Sequence, residues 1–124
     1  MREKCRSRVV ESSLVLSYNM TKWYREYNFL YFKNVALPNI DVFYGKIINE
    51  RGSFTYGITC FNSKYEALYI VLNYKLKKLG EDISCITLLH EIIHAAYPKI
   101  GHGPKFKKET RRLILAGAYD ELLG

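Results

Sequence analysis

The residues with the clearest chemical potential are His90, Glu91 and His94, in the run His90-Glu91-Ile92-Ile93-His94. Side chains four apart lie on one face of an α-helix, one turn above the other. Two imidazoles at that spacing can reach a single zinc ion, at ~2.0–2.1 Å each. Glu91 follows His90 by about a hundred degrees of helical rotation. There it can touch a metal-bound water without itself being a ligand. Zinc lowers the pKa of that water, and a carboxylate can take its proton as a carbonyl is attacked. The pattern His-Glu-x-x-His therefore points to metal-assisted peptide hydrolysis, with Glu91 as general base.

A catalytic zinc needs a third protein ligand and an open fourth position. The chain has 3 histidines, and the third, His102, follows eight residues after His94. Pro98 and Gly101 break the helix between them, so the chain can turn back and bring His102 to the metal. Gly101 and Gly103 permit the tight backbone this requires. Glu109 and Asp120 are the fallback ligands. The alternative for the pair is two core histidines satisfied by hydrogen bonds, and for His102 a solvated loop position.

These residues need a helix beneath them, and the pattern around them supports one. Ile83, Ile86, Leu88, Leu89, Ile92, Ile93 and Ala96 follow Gly80-Glu81-Asp82, with Asp82 or Ser84 available as N-cap. The apolar set is broad, which predicts burial on most sides. Pro104 suits the first turn of a last helix, from about Pro104 to Ala116. Upstream, Val9, Val10, Leu14, Leu16, Met20, Trp23, Tyr24 and Tyr27 recur at three- and four-residue intervals, predicting a helix from about Ser7 to Phe32, closed by Pro38 and Asn39. Ile40 to Ile48 is rich in β-branched and aromatic residues, and Asn49-Glu50-Arg51-Gly52 reads as a hairpin turn. Phe54, Tyr56, Ile58 and Cys60 alternate as a half-buried strand should. Ala67 to Leu72 is a plausible third strand. The expected fold is α+β: an N-terminal helix, a small three-stranded sheet of antiparallel type, the zinc helix and a basic C-terminal helix.

A length of 124 residues with 48% hydrophobic and 25% charged residues suits one globular domain, 1–124. No run reaches the ~18 apolar residues that span a bilayer, and no secretory signal is visible at the N-terminus. Cys5, Cys60 and Cys85 include no CxxC pair, which argues against a cysteine zinc site and a disulfide framework. That favours a reducing, intracellular compartment, cytoplasmic or nucleoid-associated. The net charge is +7, with cations bunched at Arg2, Lys4, Arg6 and Arg8, at Lys75, Lys77 and Lys78, and at Lys105, Lys107, Lys108, Arg111 and Arg112. Such clusters could meet nucleic-acid phosphates, or could be ordinary solvated faces. The 11 tyrosines suit small sheets, and equally grooves that grip extended peptides.

His90-Glu91-Ile92-Ile93-His94-Ala95, a short spacer, and His102-Gly103-Pro104-Lys105-Phe106 resemble the SprT-like family of Spartan-type zinc metalloproteases. In that family an HExxHA helix is followed by an HGxxF element. Tyr27-Asn28-Phe29-Leu30-Tyr31-Phe32 and Leu37-Pro38 are similar to the family's entry into its sheet, so the likeness runs from about residue 20 to 115. The spacing differs from that of the metzincins, and Tyr97 stands where they keep a glycine. The resemblance implies that His90, His94 and His102 hold one catalytic zinc and that Glu91 is the acid/base. It further implies an endopeptidase acting on DNA-bound or unfolded proteins, as in DNA–protein crosslink repair; the basic cluster from Lys105 to Arg112 is then the expected DNA contact, and a monomer is expected. Many members carry a four-cysteine zinc ribbon after this domain, and no CxxC occurs here. A zinc protease acting on a regulatory protein independently of DNA, or a non-catalytic zinc-stabilised binding module, are the alternatives.

Overall fold

The computed structural model describes residues 8–48 and 53–123. Helix α1, Tyr18–Phe32, is shorter than the periodicity predicts. Ser17 stays extended and its side chain accepts a hydrogen bond from the Met20 N–H at 3.1 Å, an N-cap that starts the helix there. The residues before it, expected to be helical, go elsewhere. Val9 bridges Ile47, Glu11–Ser13 forms a 3-10 turn, and Val15–Leu16 forms strand β1. Valines at 9, 10 and 15 are stiff at χ1 and suit extended backbone, and the neighbouring strand supplies the partners.

The C-terminal end of α1 turns on Lys33, which adopts the left-handed conformation at φ 49°. Asn28, 1% exposed, then holds the returning chain. Its Nδ2 donates to the Ala36 carbonyl at 2.8 Å and its Oδ1 accepts from the Ala36 N–H at 3.2 Å.

Three more strands follow: β2 (Asp41–Gly45), β3 (Gly57–Phe61) and β4 (Ala67–Asn73). The class is α+β as expected, but the sheet has four strands in the order β1-β2-β4-β3 and is mixed. β4 runs parallel to β2 and antiparallel to β3. Burial explains the departure from a three-stranded antiparallel sheet. Ile70, Val71 and Leu72 of β4 are fully buried, so β4 takes the centre and both of its edges are paired. β3 becomes an edge strand. The expected turn at Asn49 to Gly52 lies outside the described residues.

A 3-10 helix, Tyr74–Leu79, carries Lys75, Lys77 and Lys78 into helix α2, Glu81–Ala96. The N-cap of α2 is Gly80, without a side-chain cap bond, so neither Asp82 nor Ser84 plays that part. Ser84 is buried inside the first turns and accepts from the Tyr44 hydroxyl at 2.8 Å. Leu88, Leu89, Ile92 and Ile93 are fully buried between α1 and the sheet, at about 1.5–3 kcal/mol of stabilisation each. Helix α3, Pro104–Leu115, begins on Pro104 as expected and buries Phe106 and Leu113. A short helix α4, Asp120–Leu123, follows.

Cys85 is a free, buried thiol. Cys60 is disulfide-bonded, a cross-link the odd cysteine count did not lead us to expect. No helix among the described residues is long and apolar enough to cross a membrane.

Candidate metal centre and active site

The last two turns of α2 carry His90 and His94 on one face. The chain leaves α2 at Tyr97, turns through Gly101 at φ 61°, and re-enters helix at Pro104. Gly101 uses the left-handed freedom the sequence suggests; Gly103 does not, being extended at φ −78° and ψ −157°. This short return brings His102 over the two helical histidines. Its Nε2 lies 2.9 Å from the His94 Nε2 and 3.3 Å from the His90 Nε2.

Three ligands on a tetrahedral ion at ~2.0–2.1 Å would stand about 3.3–3.4 Å apart, so this triangle is sized for such an ion. These atoms, all within 4.8 Å of one another, are the one such cluster among the described residues. Burial, with the neighbouring imidazoles adding to it, pushes His90 and His94 down to about 4. Both are therefore neutral near pH 7, the state a metal ligand requires. Glu109 and Asp120, the fallback ligands, lie outside the cluster. Glu109 accepts from Arg112 at 2.9 Å instead.

Phe106 floors the triangle. Its ring centroid is 4.6, 4.9 and 5.1 Å from those of His90, His94 and His102. The sequence contains it within the His102-to-Phe106 element, yet its contact with all three imidazoles depends on the fold of α3 over α2.

Glu91, 5% exposed, sits at the back of the groove, between α2 and β3. Its Oε1 accepts from the Thr59 hydroxyl at 2.8 Å, and its Oε2 lies 4.0 Å from the His90 Nε2. Burial pushes the carboxyl up to about 7, against the lowering effect of the Thr59 hydrogen bonds. Such a group can hold or release a proton near neutrality. Thr59 is a site residue that sequence reasoning missed.

The histidines and Glu91 open on a groove of about 1430 Å³ between α2 and β3, lined also by Phe54, Tyr56, Phe61, Tyr65, Ile83 and Ile86. Tyr56 and Tyr65 are the tyrosines within reach of a bound chain; Lys105, considered for that part, does not line the groove. On α3, Lys105, Lys107, Lys108 and Arg111 are exposed. Lys107 and Arg111 flank a shallow groove of about 450 Å³ that reaches His102. Arg112 is engaged, paired with Glu109 at 2.9 Å and stacked over the Phe32 ring at 5.3 Å. Of the other clusters, Lys77 lies over the Tyr44 ring at 4.9 Å, and Arg2, Lys4 and Arg6 lie outside the described residues.

Residues 20–118 match the model of a family described as SprT-like, whose domains are metallopeptidase-like and zinc-associated. No curated protein and no solved structure matches the chain.

Proposed function

Since the chain belongs to the SprT-like family, we propose that it is a zinc-dependent endopeptidase that acts on DNA-bound or unfolded proteins. The observation that carries this reading is the convergence of three imidazole nitrogens beside a buried carboxylate. His90, His94 and His102 would hold zinc, leaving its fourth position open to the groove. Zinc there supplies Lewis acidity, acidifying water and polarising a carbonyl.

The substrate is held by β3. The Asn73 N–H donates to the Tyr56 carbonyl at 2.8 Å, and these two residues stand opposite each other in the antiparallel register. Pairing alternates along such a ladder, so Gly57 and Thr59 turn their main-chain groups away from β4; the Thr59 N–H bonds the Glu91 carboxyl, which leaves the Gly57 groups and the Thr59 carbonyl at the free edge. An extended polypeptide can add to that edge, which favours unfolded segments over folded ones. Glu91 removes a proton from the attacking water through Oε2, the oxygen nearer the histidines, and delivers it to the departing amine. Tyr56 and Tyr65 are the candidates to hydrogen-bond the oxyanion.

The exposed cations of α3 begin at the residue after Pro104, three positions from His102. A nucleic acid bound there would lie beside the groove, presenting proteins attached to it. The test is zinc content together with cleavage of an unfolded protein, with and without DNA, for wild type and Glu91→Gln. One equivalent of zinc in both and DNA-stimulated cleavage in wild type alone is the expected result. Cleavage indifferent to DNA would mean a protease acting independently of it. Zinc without Glu91-dependent cleavage would mean a binding module, and absence of zinc would overturn the reading.

A further inference from the structure

Edge strand β3 packs against the buried Glu91 side chain at two positions on one face, Thr59 at the carboxylate and Gly57 at its stem. The Thr59 hydroxyl lies 2.8 Å from Oε1 and 3.1 Å from the Glu91 carbonyl oxygen. Its single proton faces both acceptors, and the shorter contact goes to the carboxylate. Thr59 is itself 6% exposed, so water does not compete freely for this bond. Two residues earlier, Gly57 lies so close to α2 that a Cβ there would stand 2.9 Å from the Thr87 Cγ2, 3.3 Å from the Glu91 Cγ and 3.2 Å from the Val71 carbonyl. The last of these is backbone and cannot move aside.

We propose that Thr59 and Gly57 form a cradle on β3 that sets the orientation of the Glu91 side chain. Thr59 is a positioning residue, and Gly57 supplies the clearance for the carboxylate stem. Thr59 fixes Oε1, which leaves Oε2 as the oxygen turned to the histidines. A threonine suits this better than a flexible donor, because branching at Cβ holds its χ1. The same strand offers its outer edge to the groove. A chain bound along β3 would therefore be registered by the same residues that aim the base. This inference rests on Glu91 being the base of the proposed peptidase.

The test compares wild type, Glu91→Gln, Thr59→Val and Thr59→Ser for zinc stoichiometry, kcat and KM on an unfolded protein, with crystal structures of wild type and Thr59→Val. Valine keeps the shape and removes the hydroxyl donor while the Thr59 main-chain N–H stays; serine keeps the hydroxyl. We expect Thr59→Val to bind zinc fully and lose about tenfold or more in kcat with little change in KM, and Thr59→Ser to recover most of it. In the crystal, the Glu91 carboxylate should leave its wild-type orientation in Thr59→Val. A kcat within twofold of wild type for Thr59→Val would overturn the proposal. Should wild type itself show no cleavage, the peptidase reading fails separately and the crystal structures decide. A rotated Glu91 in Thr59→Val supports the cradle, and an unmoved one refutes it.

Discussion

Removing the charge of Glu91 should stabilise the metal-free protein, and by an amount that depends on pH. The carboxyl is nearly fully buried, and burial raises it from 4.5 to about 7. A group raised on folding contributes stability that is complete below its unfolded pKa and lost as pH rises through its folded one. With these two values, the ionisable carboxyl costs about 1 kcal/mol at pH 5 and about 3 kcal/mol at pH 8. Glutamine carries no such dependence, and any penalty for its amide is the same at both pH values. The stability of Glu91→Gln relative to wild type should therefore rise by about 2–3 kcal/mol between pH 5 and pH 8. The depressed His90 and His94 are common to both proteins and cancel in the difference. The assay is urea denaturation of both proteins in chelator, at the two pH values. Saturating zinc should shrink the pH dependence, because a dication beside Oε2 favours the ionised carboxylate. An equal difference at both pH values in chelator would show that Glu91 is already charged in the fold, and the burial argument would be wrong.

Phe106→Ala should cost about 3 kcal/mol of stability and weaken zinc about tenfold, since it removes the floor under three imidazoles. Chelator competition checks the second part, and an unchanged zinc affinity would reduce Phe106 to a core residue. In the Glu91→Gln background without metal, stability should fall as pH drops from about 6.5 toward about 4. Over that window the unfolded chain takes up protons that buried His90 and His94, held near 4, refuse. A flat denaturant midpoint there would contradict it. On α3, reversing Lys107 and Arg111 to Glu should lower DNA affinity and reduce the slope of log affinity against log salt by about 2. Reversing Arg112, already paired with Glu109, should do much less. Equal losses would argue that the Glu109 pair opens on binding.

The parts of the site that were legible in the sequence are those whose partners lie nearby along the chain. His90 and His94 share one helical face because α2 is regular, and His102 needs only a short turn to join them. Pro104 likewise announces α3 by a local rule. The errors arose where distant partners decide. Apolar residues from Val9 to Leu16 fit a helical period, but the N-cap at Ser17 starts the helix later, and pairing with β2 draws Val15 and Leu16 into a strand. The runs at 40–48 and 54–60 read as a hairpin, yet β4, with Ile70, Val71 and Leu72 fully buried, separates them in the sheet. The insertion that misled the sheet prediction also leaves β3 at the edge, where its outer side meets the groove and its inner face meets Glu91. Thr59 is 32 residues from Glu91 in the chain, and no local pattern joins a strand threonine to a helical glutamate. The histidines and Glu91 carry their chemistry in their side chains and a fixed spacing, so they can be read as a motif. The groups that aim the carboxylate act through sheet order and packing. That is why a search for related sites would find the first set by pattern and the second only by the fold.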